Sequence, residues 1–324
     1  MKIVFNKIKE YSFFIIVFIL FLLFNFIQLP YYIQKPGGII NTSSKIDSNI
    51  KIETKGSLNM AYVSELRATI PTYLFSLLNK KWDLIKISEN ISSNESIKEA
   101  NYRNTMLLNE ANDVATIIAY QKSGKELKIK NKDFYITYID PKAKTNLKIK
   151  DKIIKIEEKK VNSFEELVSI INKHSLNDTI KIETNNGIKK ATIFEINNKK
   201  VIGILITTDY EFENEINFKF DNKESGPSGG MMMTLAIYNY LNNDILTKNR
   251  KIVGTGTIDI NGNVGKIDGV KYKLMGAAKN KADIFIVPYE NYEEAIDIKN
   301  QYKYKIDIYP VKTIDDAIKY LKKE

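Results

Sequence analysis

The sequence predicts a multidomain α/β (α+β) protein, and three observations support this prediction. An uncharged run near the N-terminus is long enough for one apolar helix. Residues 127–194 have a β-rich composition with one amphipathic helix between the strands. From about residue 201 onward, short apolar strands alternate with helices, which is typical of an α/β domain.

Composition narrows the chemistry that the chain can perform. The 324 residues include no Cys and one His, His174, which excludes thiolate nucleophiles, Cys-based metal sites and multi-histidine metal sites. We therefore expect no metal and no cofactor, and a hydrolase here would need a base other than histidine. The net charge of +10 is spread along the chain, often beside acidic residues. Because dense basic clusters are few, a nucleic-acid partner is not expected, and a general membrane-surface or nucleic-acid binder is the weakest interpretation.

Residues 11–34 carry no charge, and residues 13–24 are all apolar. As a helix this run could reach about 36 Å, enough to cross the hydrocarbon core of a bilayer. Lysines outnumber acids in residues 1–10, so the positive-inside rule predicts a cytoplasmic tail there and extracytoplasmic domains after the helix. We expect residues 11–34 to be a transmembrane helix and its exit, giving a single-pass anchor in the cell membrane. A buried core helix and a cleaved signal peptide are the alternatives, although no small-x-small cleavage site follows the run.

Residues 35–112 are interpreted as a linker and an N-terminal extracytoplasmic region. Pro-Gly-Gly at 36–38 begins a short polar connection, and a loop is expected over 88–96. Helices are expected after Pro71 and over 104–121, where apolar residues recur with helical spacing. No pattern in this region indicates catalytic residues.

A β-rich domain is predicted over 113–200. Its pattern consists of two strands around a Pro-Lys-Ala turn, a helix with a capping box, and a hairpin turn: 134–139, 152–156, Ser163 with Glu166, and Asn-Gly at 186–187. This order resembles the PDZ family, whose members capture peptide ends by adding a strand to a sheet edge. Lys150 stands where that family has Gly, and no Gly-rich loop precedes the first strand. A spacer that binds nothing is the alternative to peptide capture.

Gly-Pro-Ser-Gly-Gly at 226–230 is the sharpest local feature of the last predicted domain, 201–324. It precedes the apolar helical segment 231–241, so Ser228 lies among glycines at a helix N-terminus. Free backbone N–H groups there can stabilise an oxyanion beside a nucleophile. A helix cap or loop serine is the alternative, and the three methionines at 231–233 are expected in the core rather than at a metal.

A second group of candidate catalytic residues lies within 254–278. Thr255 lies on a predicted strand, and a helix is expected from near residue 270. Lys273 on this helix is followed by apolar residues, and apolar surroundings disfavour a charged lysine. A lysine with a lowered pKa can act as a base near neutral pH. A solvated surface lysine is the alternative for Lys273, and Lys271 is a second candidate base.

The two motifs together resemble the proteolytic domain of Lon-type proteases over about 202–296. That family carries Gly-Pro-Ser-Ala-Gly around its nucleophile and Gly-Gly-x-x-x-Lys around its catalytic lysine. The resemblance implies Ser228 as the nucleophile and Lys273 as the base. It places Thr255, Gly226 and Gly229 in supporting positions, with Thr255 expected to orient the lysine by a hydrogen bond.

The chain departs from the family pattern at two positions. Gly229 replaces the Ala of the nucleophile motif, and Asp268 replaces the first Gly of the lysine motif. A carboxylate close to Lys273 would raise the pKa of the lysine, which is the wrong direction for a base. The P-loop motif of the Lon ATPase does not occur in the sequence.

The order of anchor, PDZ-like domain and Lon-type domain resembles the membrane-anchored, PDZ-containing Lon-like proteases of bacteria. The resemblance implies an ATP-independent serine endopeptidase with a Ser–Lys dyad that cleaves extracytoplasmic or membrane-associated polypeptide substrates. It also implies contact with the lipid bilayer through the N-terminal helix, and a homo-oligomeric ring. The main alternative is a catalytically silent scaffold or sensor, tethered to the membrane, that binds a protein partner.

Overall fold

The computed structural model describes residues 11–47, 55–87, 95–213, 216–243 and 246–323. They form a large mixed sheet with helices on both faces and a smaller antiparallel sheet, in agreement with the predicted α/β (α+β) class. The α-helices described are α1 (Ser12–Phe26), α2 (Ile70–Leu78), α3 (Ile97–Lys122), α4 (Phe164–Asn172), α5 (Gly230–Leu241), α6 (Val270–Lys279), α7 (Tyr292–Tyr302) and α8 (Ile314–Lys323). The strands described are β1 (Gln28–Asn41), β2 (Ile46–Asp47), β3 (Ser57–Thr69), β4 (Asp83–Lys86), β5 (Ile129–Ile139), β6 (Lys152–Ile156), β7 (Lys159–Lys160), β8 (Thr179–Thr184), β9 (Gly187–Thr192), β10 (Phe194–Ile196), β11 (Lys199–Val201), β12 (Ile204–Phe212), β13 (Asn217–Phe218), β14 (Lys251–Gly254), β15 (Thr257–Ile258), β16 (Val264–Gly265), β17 (Ile284–Pro288) and β18 (Asp307–Val311).

Helix α1 ends at Phe26, where the following residue adopts an extended conformation, and none of its side chains is buried. The predicted anchor helix and exit over 11–34 is therefore wrong beyond Phe26, because residues from Gln28 onward pair with other strands as part of β1. Within the described ranges, no helix is both long enough and apolar enough to cross a membrane. The predicted cytoplasmic tail, 1–10, and most of the predicted loop at 88–96 lie outside the described residues.

The large sheet has the strand order β18–β17–β14–β3–β1–β4. Strand β14 pairs in parallel with β3 and β17, whereas β1 runs antiparallel between β3 and β4. Residues 35–112, interpreted as a linker and an N-terminal extracytoplasmic region, thus contribute part of β1 and all of β3 to the sheet that contains the C-terminal strands. Pro-Gly-Gly at 36–38 forms an irregularity within β1 instead of a connection. Local patterns do not reveal such pairing, because the two partner segments are far apart in the chain.

Two buried cores cover the opposite faces of the large sheet. On one face α3 and α5 pack with Met60 of β3, and on the other α6 packs with Ala61 of the same strand. Neighbouring strand residues point to opposite faces, so this pair defines the two sides of β3. The three methionines at 231–233 are buried in the first core, which confirms their prediction as core residues.

The smaller sheet has the order β12–β5–β6–β8–β9, with β7 beside β6, and its strands pair antiparallel. Helix α4 begins after Ser163, whose side chain accepts a hydrogen bond from the Glu166 N–H. Lys150 has a φ of 77°, a conformation that favours glycine. The predicted boundary at 200/201 assigned residues 204–212 to the last domain. The structure instead pairs this segment, as β12, with β5.

Candidate active site

A hydrogen bond and an ion pair fix the loop that carries Ser228 before α5 begins. Gly226 has a φ of +89°, which only glycine adopts without strain, and its N–H donates to the carbonyl of Asn104 on α3 at 3.0 Å. Glu224 forms an ion pair with Lys45 at 2.7 Å. The Glu224 carboxylate therefore helps to fix the loop and is not part of the candidate catalytic site. Ser228 itself is half-buried at the start of the helix.

The carbonyl of Ser228 is tied to the segment that follows β14. It accepts hydrogen bonds from the Gly256 N–H at 2.8 Å and from the Thr255 hydroxyl at 3.0 Å. The Gly256 carbonyl in turn accepts from the Met231 N–H at 3.0 Å. Thr255 is fully buried, and its hydroxyl donates to the loop that carries Ser228 rather than to Lys273, which the resemblance implies as its partner. This residue therefore orients Ser228.

Replacing Thr255 with Val is expected to lower the free energy of unfolding by about 1 kcal/mol, because Val keeps the shape and removes the donor to the Ser228 carbonyl. Thr255→Ser keeps the hydroxyl and serves as the control. Urea unfolding of the two variants measures the difference. If Thr255→Val were as stable as the unaltered chain, the hydrogen bond would contribute nothing to holding the loop.

Two backbone amides beside the serine side chain are available to a ligand. Within the part of the chain that the structure describes, no acceptor is assigned to the N–H groups of Ser228 and Gly229. They lie at the N-terminus of α5, where the helix dipole adds partial positive charge. Such a pair is suited to stabilise an oxyanion that develops next to the serine.

Lys273 lies on α6 and is only 4% exposed. Burial lowers the pKa of its ammonium to about 8, and the negative charge of Asp268 opposes this shift without cancelling it. Asp268 thus raises the pKa of Lys273, as the sequence indicates, but desolvation lowers that pKa by more. A lysine with this pKa is partly neutral near physiological pH and can accept a proton.

Lys271, the second candidate base, has a different environment. Its Nζ lies 2.7 Å from Oδ2 of Asp83, and the hydroxyl of Tyr272 donates to the same carboxylate. Lys271 is held in this ion pair and is partly exposed. Lys273 is buried, so the structure favours Lys273 over Lys271 as the candidate base.

A buried amide positions the start of α6. The side chain of Asn291 accepts from the Ile267 N–H at 2.9 Å and donates to the Ile267 carbonyl at 3.0 Å. Ile267 precedes the turn through Gly269, whose φ is +72°. Both helix starts lie against strand β3: a Cβ added at Gly229 would meet Met60, and one added at Gly269 would meet Val63. The starts of α5 and α6 therefore both contact β3, within three residues of one another along that strand.

Comparison with known proteins finds similar domains in two parts of the chain. Residues 222–323 match the Lon protease (S16) C-terminal proteolytic domain. Residues 118–194 match the PDZ domain. Over 97 residues the chain is 34% identical to Lon protease 1 of Hydrogenovibrio crunogenus, covering 30% of this chain and 12% of the relative. It is 32% identical over 117 residues to the Lon protease of Trichlorobacter lovleyi, covering 35% and 14% of the two chains.

These relatives are much longer than the region they share with this chain, which spans about an eighth of their length. A third, the Lon protease of Mesomycoplasma hyopneumoniae, is 32% identical over 118 residues, or 33% of this chain and 13% of its own. The comparisons support a serine peptidase domain in the C-terminal part of the chain and a PDZ domain before it.

The structure explains one departure from the Lon-type motif. A Cβ at Gly229 would lie 2.9 Å from the sulfur of Met60, closer than real contacts allow. The Ala that Lon-type domains carry there would require Met60 to move. Glycine at this position leaves space for the Met60 side chain.

The PDZ-like sheet faces the Lon-type domain through the edge of β12. On this edge the N–H of Thr208 donates to Glu110 at 2.8 Å, and the N–H of Tyr210 donates to Asp113 at 3.2 Å. Both carboxylates belong to α3, and no local motif in the sequence indicates their role. Alternate N–H groups of an edge strand are the donors that an added peptide would use. Helix α3 therefore occupies this edge and fixes the PDZ-like sheet to the Lon-type domain.

A cavity of about 310 Å³ lies between the same edge and the loop that carries Ser228. Its lining comes from α3, β12, the start of α4, the residue before Ser228 and the β15 hairpin: Leu107, Glu110, Ala111, Thr208, Tyr210, Phe164, Pro227, Ile258 and Ile260 among others. A substrate side chain placed in this cavity would lie next to Pro227. The cavity is therefore lined by both domains and reaches the residue before Ser228.

Proposed function

We propose that the chain is a serine endopeptidase with Ser228 as nucleophile and Lys273 as base. The observation that supports this most is the burial of Lys273, which lowers its pKa to about 8 at the start of a Lon-type helix. His174, which would be needed for a triad with histidine, lies in the PDZ-like domain beside Asp178, at 3.9 Å.

In the proposed reaction, neutral Lys273 takes the proton of the Ser228 hydroxyl as the serine oxygen attacks the substrate carbonyl. The N–H groups of Ser228 and Gly229 stabilise the resulting oxyanion. Lys273 then gives its proton to the leaving amine, the peptide bond breaks, and an acyl-enzyme remains. Water hydrolyses this ester with Lys273 again as base, which restores the serine. Every step uses side chains and amides of the chain, so cleavage is proposed to need no ATP.

The direct test is hydrolysis of an unfolded, fluorescently labelled protein by the purified full chain in detergent at about pH 8. We expect peptide release without nucleotide and without sensitivity to metal chelators. A folded chain that releases no peptides under these conditions would contradict the proposal and favour the catalytically silent scaffold.

We further propose that α1 inserts into a lipid bilayer and anchors the chain there; an extracytoplasmic location of the domains after it stays a prediction. Its apolar side chains from Phe13 to Phe24 are all exposed, and lysines outnumber acids before it. Water-exposed apolar surface of this extent strongly favours transfer to lipid. The full chain should float with lipid vesicles in a density gradient, whereas Ile16→Asp/Leu20→Asp should reduce flotation. A substrate close to the membrane and a homo-oligomeric ring remain predictions.

A further inference from the structure

A second apolar surface lies beside α1, on helix α2. Four of its side chains are exposed to solvent, and Leu77 and Leu78 are 61% and 86% exposed. Leu74 and Phe75 complete the set, and the ring of Trp82 packs against Phe75 with centroids 4.9 Å apart. We call these five residues the α2 surface. Contiguous exposed apolar residues of this kind mark an interaction site.

The α2 surface is continuous with the proposed anchor. Helix α2 contacts α1 directly, and the rings of Tyr31 and Tyr73 pack 5.4 Å apart where β1 and α2 meet. Tyrosine and tryptophan side chains favour the interface between lipid and water. The aromatic residues at this end of the large sheet thus lie at the level expected for the lipid–water interface if α1 is inserted in a bilayer.

Basic residues border the α2 surface. Lys80, Lys81 and Lys86 are exposed, and Nζ of Lys35 lies 5.0 Å from the centre of the Trp82 ring. Asp83, the acid in this segment, is engaged by Lys271 and Tyr272. An apolar face with a cationic border complements a bilayer that contains anionic lipid.

We propose that the α2 surface binds the headgroup region of an anionic lipid bilayer and holds the Lon-type domain against it. The proposal rests on anchoring by α1 and is independent of protease activity. It gives the domain two attachments to the membrane, one through α1 and one through α2.

Trp82 makes this proposal directly testable, because it is the single tryptophan of the chain. The full chain is reconstituted with phosphatidylcholine vesicles, with and without phosphatidylglycerol, and Trp82 emission is recorded. We expect a shift of the emission to shorter wavelength in phosphatidylglycerol vesicles. Lipids brominated high on the acyl chain should quench it most, since interfacial helices lie roughly 5–10 Å into the boundary.

The variant Leu77→Glu/Leu78→Glu should lose the shift and most of the quenching by lipid while still floating through α1. The matched control is Ile188→Glu, which changes a 70% exposed residue of the PDZ-like sheet and should leave Trp82 emission unchanged. All three positions are exposed, so neither variant is expected to unfold.

The other possible results would each contradict at least one of the proposals. A chain that floats while aqueous acrylamide, and not brominated lipid, quenches Trp82 would overturn the proposal. Blue-shifted emission that brominated lipid does not quench, together with crosslinked dimers, would overturn it in favour of a second copy of the chain. A chain that does not float overturns both this proposal and the anchor. Lipid quenching in a chain that cleaves nothing would contradict only the protease function.

Discussion

Replacing Ser228 with Ala is expected to reduce hydrolysis of an unfolded protein by a factor on the order of 10⁴ to 10⁶. The substitution removes the oxygen that attacks the substrate carbonyl. It leaves the loop in place, because the hydrogen bonds that fix residue 228 are made by its backbone carbonyl. The rate should therefore fall without a matching loss of stability. Initial rates of peptide release and urea unfolding of the same samples measure the two effects separately.

Ser225 provides a matched control in the same loop. It is exposed and lies three residues before Ser228, so Ser225→Ala should cleave at nearly the rate of the unaltered chain. Equal activity in Ser228→Ala and Ser225→Ala would falsify the assignment of the nucleophile.

Replacing Lys273 with Met is expected to remove cleavage almost as completely, because no other group is proposed to take the serine proton. Lys271→Met is the control, since it deletes a neighbouring lysine whose ammonium pairs with Asp83. A partly exposed ion pair of this kind contributes at most about 1 kcal/mol, so the control should remain folded and active. Loss of activity in Lys271→Met alone would move the base to Lys271.

The pH dependence of cleavage follows from the same lysine. With a pKa of about 8, roughly a tenth of Lys273 is neutral at pH 7, compared with roughly one in 3,000 for an ordinary lysine. The value of kcat/KM should therefore rise with pH through an apparent pKa near 8 and then level off. A profile that is flat between pH 6 and pH 9 would argue against a lysine base.

Lys273 should also link stability to pH. Its pKa in the folded chain is about 8, below the ordinary value of 10.5, so between these values the unfolded chain binds more protons. Stability therefore rises as pH increases from about 8 to 10.5, and below pH 8 the buried ammonium costs about 3 kcal/mol. Lys273→Met should be more stable than the unaltered chain near neutral pH and lack this rise. Chemical unfolding at several pH values, with Lys271→Met beside it, tests the prediction.

Local patterns predicted much of the candidate site but little of the sheet around it. The glycines around Ser228 and the apolar helix after it are neighbours in sequence, and the structure has α5 beginning at Gly230. The central position of β3 depends on pairing with β14, and the placement of β12 depends on pairing with β5. Strand pairing between distant segments leaves no local signal, so both were missed. Glu110 and Asp113 were missed for the same reason, because their partners lie on β12.

The sequence by itself determined which residues were candidates. The absence of Cys, the single His, and the paired serine and lysine motifs left Ser228 with Lys273 or Lys271. The motif resemblance implies Lys273, and only the tertiary structure supplies a physical reason, by burying Lys273 and pairing Lys271 with Asp83. It also directed the Thr255 hydroxyl to the Ser228 carbonyl. Burial and hydrogen-bond partners are properties of residues that meet only after folding, so composition and spacing do not specify them.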